Sequence, residues 1–435
     1  MGIILTIIKE CKSICCRGRG NEENNDEMMN KEKSYLNTYK ENDEQKLKIE
    51  DGVKQNKIIE LNEITETINE KNEKYGKEEN IEQNGQIVKY CGNETTESEE
   101  IKETNNKSQF KNDKFILINE LYGFINNGNN CYLNSSLQLL TRVKELRINI
   151  LNFKYENMCF DTITEGKIYI EFKNIIQDII NGKKIIDPRK LKKVMGMIDE
   201  RYKDNNQEDA NEFISNFLDG LLNEIGDKNN LPKPLNIKNE SDQIAYNKFY
   251  NRFYKTKGNS FILDLFYSIL KTQKVCQNCG KVNSIKFNAY NIIELPIINL
   301  AKRGDDIKFE DIIENFFTKY ENIDGECNNC GKNAIYEKIN IYSLPKYLIF
   351  YFGRTINGKY INNQIIFPNK YDFGENCRYE NTSVIYYTKF GKKSGHYTAS
   401  CKCDDDWYYF NDVYVEKGKY GNSNFKPIIL IYKRI

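Results

Sequence analysis

Two residues of this 435-residue chain have the types that, brought together, cleave acyl bonds: Cys131 and His396, the single histidine of the sequence. Cys131 ends a polar, glycine-broken run, Gly123-Phe124-Ile125-Asn126-Asn127-Gly128-Asn129-Asn130, and opens a stretch in which Leu133, Leu137, Leu140 and Val143 recur at helical spacing. A thiol at a helix N-terminus sits among unpaired N–H groups at the positive end of the dipole, and both favour the thiolate. The Asn/Gly run lets backbone approach a substrate closely, and its side-chain amides, Asn126 above all, can donate to an oxyanion. On its own a cysteine here is more often a small core residue. With a single histidine, any Cys/His chemistry must run through His396.

The elements that position His396 lie near the C-terminus. It follows the turn Lys392-Lys393-Ser394-Gly395 and opens a strand-like run, Tyr397 to Lys402. If that run pairs with Trp407 to Phe410 through the turn Cys403 to Asp406, Asn411 returns beside His396, with Asp412 next to it. An amide or carboxylate there fixes the imidazole tautomer and aims the ring at a thiol.

A second group of thiols reads differently. Cys276-Gln277-Asn278-Cys279-Gly280 and Cys327-Asn328-Asn329-Cys330-Gly331 supply four thiolates in two Cys-x-x-Cys-Gly knuckles, the donor set of structural, tetrahedral zinc. The 47 residues between them (280 to 326) exceed an ordinary zinc ribbon, so the knuckles should cap paired long strands. Thirteen cysteines, an odd number with four of them in these pairs, suit metal binding in a reducing compartment better than a disulfide framework. A net charge of +1 excludes nucleic-acid binding by bulk electrostatics. No run approaches the ~18 apolar residues of a membrane span.

Three regions follow from composition. Residues 1–20 combine Gly2 and Thr6 of an N-myristoylation pattern with Cys11, Cys15 and Cys16 among basic residues, which predicts a lipidated terminus and peripheral membrane association. Residues 21–114 are rich in Glu, Lys and Asn, with a weak helix over Val53 to Ile68, and read as a disordered spacer. The folded part runs over 115–435. Its first third is helical, near Ile168 to Ile180, Arg189 to Ile198, and over an apolar stripe Ala210, Phe213, Ile214, Phe217, Leu218, Leu221 and Leu222. Asn206 is the expected N-cap of that last helix, with Asp209, Asn216 and Asp219 on a solvated face. Gly226 to Gly258 reads as a polar insertion, and the rest as strands, giving an α+β fold.

Taken together these stretches resemble the ubiquitin-specific protease family of cysteine deubiquitinases, from about Gly123 to the C-terminus. The run ending in Cys131-Tyr132-Leu133-Asn134-Ser135 is similar to the family's Gly-Leu-x-Asn-x-Gly-Asn-Thr-Cys-Tyr-Met-Asn-Ser, with Phe124, Asn130 and Leu133 substituted. Ser394-Gly395-His396-Tyr397 with Trp407-x-x-Phe410-Asn411-Asp412-x-x-Val415 resembles its histidine box, and Gln207 to Phe213, Leu344-Pro345-x-x-Leu348 and Ile429 to Tyr432 match further segments. Ser268 and Lys389 depart from the pattern, away from the proposed chemistry.

The resemblance implies a papain-like fold with helical thumb, β-sheet palm and zinc-bearing fingers over about 260–340, ligated by Cys276, Cys279, Cys327 and Cys330. It implies Cys131 as nucleophile, His396 as base and acid, Asn411 as third member with Asp412 beside it, and Asn126 as oxyanion donor. Asp209 and Glu212 would contact the basic ubiquitin tail, and Gly395 and Tyr397 would flank its final glycines. The expected activity is hydrolysis of the bond after ubiquitin's C-terminal glycine in the cytoplasm, with or without a membrane anchor. The alternatives are a catalytically weak ubiquitin-binding scaffold and a protease for another ubiquitin-like modifier.

Overall fold

The computed structural model describes residues 121–435, apart from 302–304, 319–320, 357–358, 375–376, 392–393 and 419–424. The lipidation residues Gly2, Cys11, Cys15 and Cys16, the spacer and its weak helix lie outside the described residues.

The chain begins with β1 (Gly123–Phe124) and α1 (Cys131–Leu140), then α2 (Lys144–Asn152), α3 (Lys167–Ile180), β2 (Ile185–Ile186), α4 (Arg189–Ile198), α5 (Ala210–Ile225), α6 (Glu240–Lys257) and α7 (Phe261–Phe266). Every residue of α1 is buried, polar ones included. Its leucines enter the helical core. Polar side chains on it bond backbone carbonyls instead of facing water: Ser136 donates to the Tyr132 carbonyl at 2.7 Å and Gln138 to the Tyr122 carbonyl at 2.9 Å. A helix buried on all sides cannot roll, which fixes the direction of Cys131.

Three expectations fail among the helices. Asp209, not Asn206, caps α5, its carboxylate accepting from the Asn211 N–H at 3.0 Å. The face with Asn216 and Asp219 is not solvated: Asn216 donates to the Tyr202 hydroxyl at 3.1 Å, and Asp219 accepts from Tyr267. The supposed polar insertion contains the 18-residue α6, capped by Asn239. Tyr246, Phe249 and Tyr250, at i, i+3, i+4 spacing, bury their rings against Ile269 and Phe287.

The strands of the two main sheets are β3 (Ser268–Cys276), β4 (Val282–Tyr290), β5 (Ile293–Pro296), β6 (Glu321–Ile323), β7 (Ile335–Ser343), β8 (Tyr347–Gly353), β9 (Arg378–Lys389), β10 (Gly395–Cys403), β11 (Asp406–Asn411), β12 (Tyr414–Lys417) and β13 (Pro427–Arg434). A four-stranded antiparallel sheet, β4-β3-β7-β6, forms the finger region. The larger sheet runs β12-β11-β10-β9-β13-β8-β5, antiparallel except for β5 beside β8, with a short strand Lys370–Asp372 along β9.

Side chains on β13 alternate between its two faces. Ile429 and Ile431 pack on the helical layer, while Leu430 and Tyr432 pack on the opposite face with Phe309 and Ile312 of α8 (Phe309–Thr318). Burial on both faces explains why β13 reads as a continuous apolar run. α1 lies between α5 and β10, so the thiol-bearing helix and the imidazole-bearing strand are direct neighbours.

Candidate active site

The His396 Nε2 lies 2.7 Å from the Asn411 Oδ1. A carbonyl oxygen can only accept, so Nε2 carries the proton and Nδ1 is the nitrogen left for another partner. The Cys131 side chain also acts on the ring, favouring its charged form. Two residues 265 positions apart thus meet, and Asn411 returns beside His396 through the β10–β11 hairpin as the spacing expects: Ala399 pairs with Phe410 and Cys403 with Asp406.

Asp412 organises the other side. Its carboxylate accepts from the Asn126 Nδ2 at 2.9 Å and the Asn134 Nδ2 at 2.7 Å, and stands 3.9 Å from the His396 Nε2. Asn126 is doubly fixed, because its Oδ1 accepts from the N–H of Gly128 at 3.2 Å and of Asn130 at 3.0 Å. One Nδ2 hydrogen therefore remains uncommitted near Cys131.

Asp412 itself adopts φ 51° in the two-residue turn between β11 and β12. β1 rests on this turn, with the Phe124 N–H donating to the Asp412 carbonyl at 2.9 Å. The approach needs a glycine at 123: a Cβ there would come within 2.4 Å of the Val413 Cα. The nucleophile loop and the Asn411-Asp412 turn are positioned against each other by backbone.

Burial alone would drive protons off His396. Interaction with Cys131 and the negative charge of Asp412 outweigh it, and the pKa is raised from 6.5 to about 9. The imidazolium is thus favoured at neutral pH, where it carries a proton to give.

The four residues expected to meet substrate divide into two kinds. Burial raises the Asp209 carboxyl above its usual range, and its second oxygen accepts from the Tyr351 hydroxyl at 3.4 Å. Glu212 is paired with Arg201. Gly395 and Tyr397 are wall rather than lining. Gln207 clasps Gly395, accepting from its N–H at 2.9 Å and donating to its carbonyl. A Cβ at Gly395 would strike the Tyr387 ring, which packs 4.7 Å from that of Tyr397.

At the fingertip, Cys276, Cys279, Cys327 and Cys330 place their sulfurs within 4.8 Å of one another. The Cys276–Cys330 and Cys279–Cys327 separations are 3.7 and 3.6 Å. Four sulfurs ~2.3 Å from a tetrahedral zinc lie ~3.8 Å apart, so the donor set fits that metal in number, type and spacing. Backbone N–H groups of Lys281 and Lys332 point at Cys279 and Cys330 and lower both thiol pKa values, that of Cys279 to about 6. The knuckles do cap long strands, β3 ending at Cys276 and β7 beginning at Ile335.

Residues 122–432 match the family model described as ubiquitin carboxyl-terminal hydrolase. The chain belongs to this family. It is 30% identical over 317 residues to human ubiquitin carboxyl-terminal hydrolase 2, a match covering 67% of this chain and 51% of that protein. It is 26% identical over 331 residues to human ubiquitin carboxyl-terminal hydrolase 21, covering 67% and 57%. The matches thus span about half the length of these curated relatives. Among solved structures, a yeast SAGA DUB module aligns at TM-score 0.57 and 17% identity over 73% of this chain and 69% of that one. A SAGA DUB module bound to monoubiquitin aligns at TM-score 0.56 and 16% identity over 75% and 74%. The shared α+β fold is the one expected from sequence.

Within this ubiquitin carboxyl-terminal hydrolase domain, sequence reasoning missed three residues around the thiol. Asn134 and Gln207 stand inside quoted motifs without an assigned part. Lys192 gives no signal in the charged run Arg189-Lys190-Leu191-Lys192-Lys193, yet only 8% of it is exposed.

Proposed function

We propose that this chain is a thiol-dependent deubiquitinase that hydrolyses the isopeptide or peptide bond after the C-terminal glycine of ubiquitin. The observation that carries the reading is the Cys131–His396–Asn411 array beside the start of α1, inside a domain of this family. Cys131 attacks the glycine carbonyl as thiolate. The oxyanion that forms is stabilised by the Cys131 backbone N–H and the uncommitted Nδ2 hydrogen of Asn126. His396 gives its proton to the leaving amine and then takes one from water to release the acyl-enzyme, while Asn411 holds the ring and Asp412 favours its charged form. Asp209 and Glu212 supply negative charge for a basic tail; Glu212 must exchange Arg201 for it. Gly395 and Tyr397 close the channel for the final glycines.

Zinc at the four fingertip cysteines supplies cross-linking alone, joining the β3–β4 turn to the segment before β7. The N-terminal residues Gly2, Cys11, Cys15 and Cys16 support a reading as a lipid anchor on the cytoplasmic face of a membrane, on sequence alone. Metabolic labelling with an alkyne fatty acid tests this: loss of label in Gly2→Ala is expected, and an unlabelled wild-type chain would end it. For the enzyme, the test is cleavage of a ubiquitin C-terminal fluorogenic amide. Cys131→Ala should reduce turnover by at least ~10³-fold, and turnover retained in that variant would refute the assignment.

A further inference from the structure

We propose that Lys192 is a positioning residue for the nucleophile: it holds the Asn130 side-chain oxygen off the start of α1, away from the oxyanion that forms at the Cys131 N–H. The inference rests on the functional reading above. Asn130 occupies the N-cap position of α1, where Asn is among the strongest capping residues. Its backbone does take that role, its carbonyl accepting from the Asn134 N–H at 2.9 Å. Its side chain does not cap, and the first turn carries no acidic residue.

The Asn130 side-chain oxygen accepts instead from the Lys192 ammonium at 2.8 Å. The other acceptors of that ammonium are the Asp204 carbonyl at 2.8 Å and the Asn205 Oδ1 at 3.4 Å. Three acceptors use the three N–H donors of the lysine completely. Asp204 and Glu208 supply negative charge at longer range, without an ion pair. A buried lysine spent on amide oxygens is costly to desolvate, and burial lowers its pKa.

What the arrangement achieves is local. The Asn129 side chain donates to the Asn205 carbonyl at 2.8 Å, and Gly128 lies against the Asn205 side chain. α4 and the 204–205 segment therefore form a cradle for residues 128–130, with Lys192 as its single charged contact to Asn130. Without the ammonium, the freed amide oxygen would turn to the nearest unpaired donors, the N–H groups one or two residues past Cys131. Capping there would place a second oxygen where negative charge must develop.

The experiment combines Lys192→Met, Asn130→Ala and the double variant, read by kcat and KM on a ubiquitin fluorogenic amide. A second reading is the pH midpoint of Cys131 alkylation by iodoacetamide, followed by peptide mass. Outright loss of one oxyanion donor is worth ~10²-fold or more, and a competing oxygen beside the Cys131 N–H should cost up to that amount. Lys192→Met should therefore lower kcat by ~10- to 100-fold with KM within twofold, and raise the alkylation midpoint. Asn130→Ala in that background should restore most of both, because no amide is left to cap. A double variant as slow as Lys192→Met would overturn the proposal, as would wild-type kcat in Lys192→Met. Lys192→Gln, which keeps a donor toward Asn130, should hold more than a third of kcat; a Gln variant as impaired as Met would overturn it even where Met folds poorly. A wild-type chain inert toward ubiquitin conjugates would sink the functional reading, while alkylation of the same variants would still decide the part played by Lys192.

Discussion

The thiol at Cys131 and the four thiols at the fingertip are the same chemical group made into opposite things. Cys131 stands alone at the start of a wholly buried helix, next to one imidazole. Cys276, Cys279, Cys327 and Cys330 converge within 4.8 Å, each second cysteine followed by a glycine at φ 68° or 66° that lets the backbone N–H groups fold back onto sulfur. In the first, the sulfur faces a single proton-carrying ring and is left free to attack. In the second, fixed N–H dipoles lower the pKa of Cys279 and Cys330 while burial raises that of Cys276, in a group of four spaced as metal ligands. A cysteine is thus a nucleophile or a ligand by its company, and the two regions should separate cleanly under mutation.

The largest effect should come from His396→Ala, which leaves Cys131 no proton partner. Turnover of a ubiquitin amide should fall by ~10³-fold or more, with an unchanged metal content. Cys279→Ala should do the reverse, releasing about one zinc per chain and lowering Tm by roughly 10 °C, while the residual folded enzyme keeps kcat within threefold. Equal damage to both properties in either variant would break the contrast. Gly123→Ala forces the Asp412–Val413 turn away from β1 and should cost about tenfold in kcat with little change in Tm.

The smallest effect is one of pH. Because the folded-state pKa of His396 is raised above 6.5, its protonation stabilises the native state fully below pH 6.5, and that contribution is lost as pH rises through about 9. The alkaline limb of kcat/KM should fall near pH 9, and Asp412→Asn should draw it down by about one unit by removing the charge that favours imidazolium. A limb that stays in place would remove Asp412 from the electrostatics.

What the sequence disclosed was what local spacing encodes. Cys131 at a helix start, the return of Asn411 to His396 through one hairpin, and two knuckles at strand ends each depend on neighbours within about fifteen positions. Most of the misreadings share a cause, partners distant along the chain. Asp219 looks solvated until the Tyr267 hydroxyl arrives from 48 positions away. Asp209 displaces Asn206 as cap because the helix begins only at Ala210, after Gln207 has been drawn to Gly395. α6 was hidden by its Lys and Asn content, although the Tyr246, Phe249, Tyr250 stripe was present and needed only the finger sheet to lie on.

The chain's lone imidazole is also the ring that Asn411 holds. In a magnetic-resonance titration, any carbon-bound ring signal of histidine would come from the reaction centre without assignment. Binding of a partner, occupancy of the fingertip metal or modification of a distant lysine could each be followed as a displacement of one line, making this protein its own reporter.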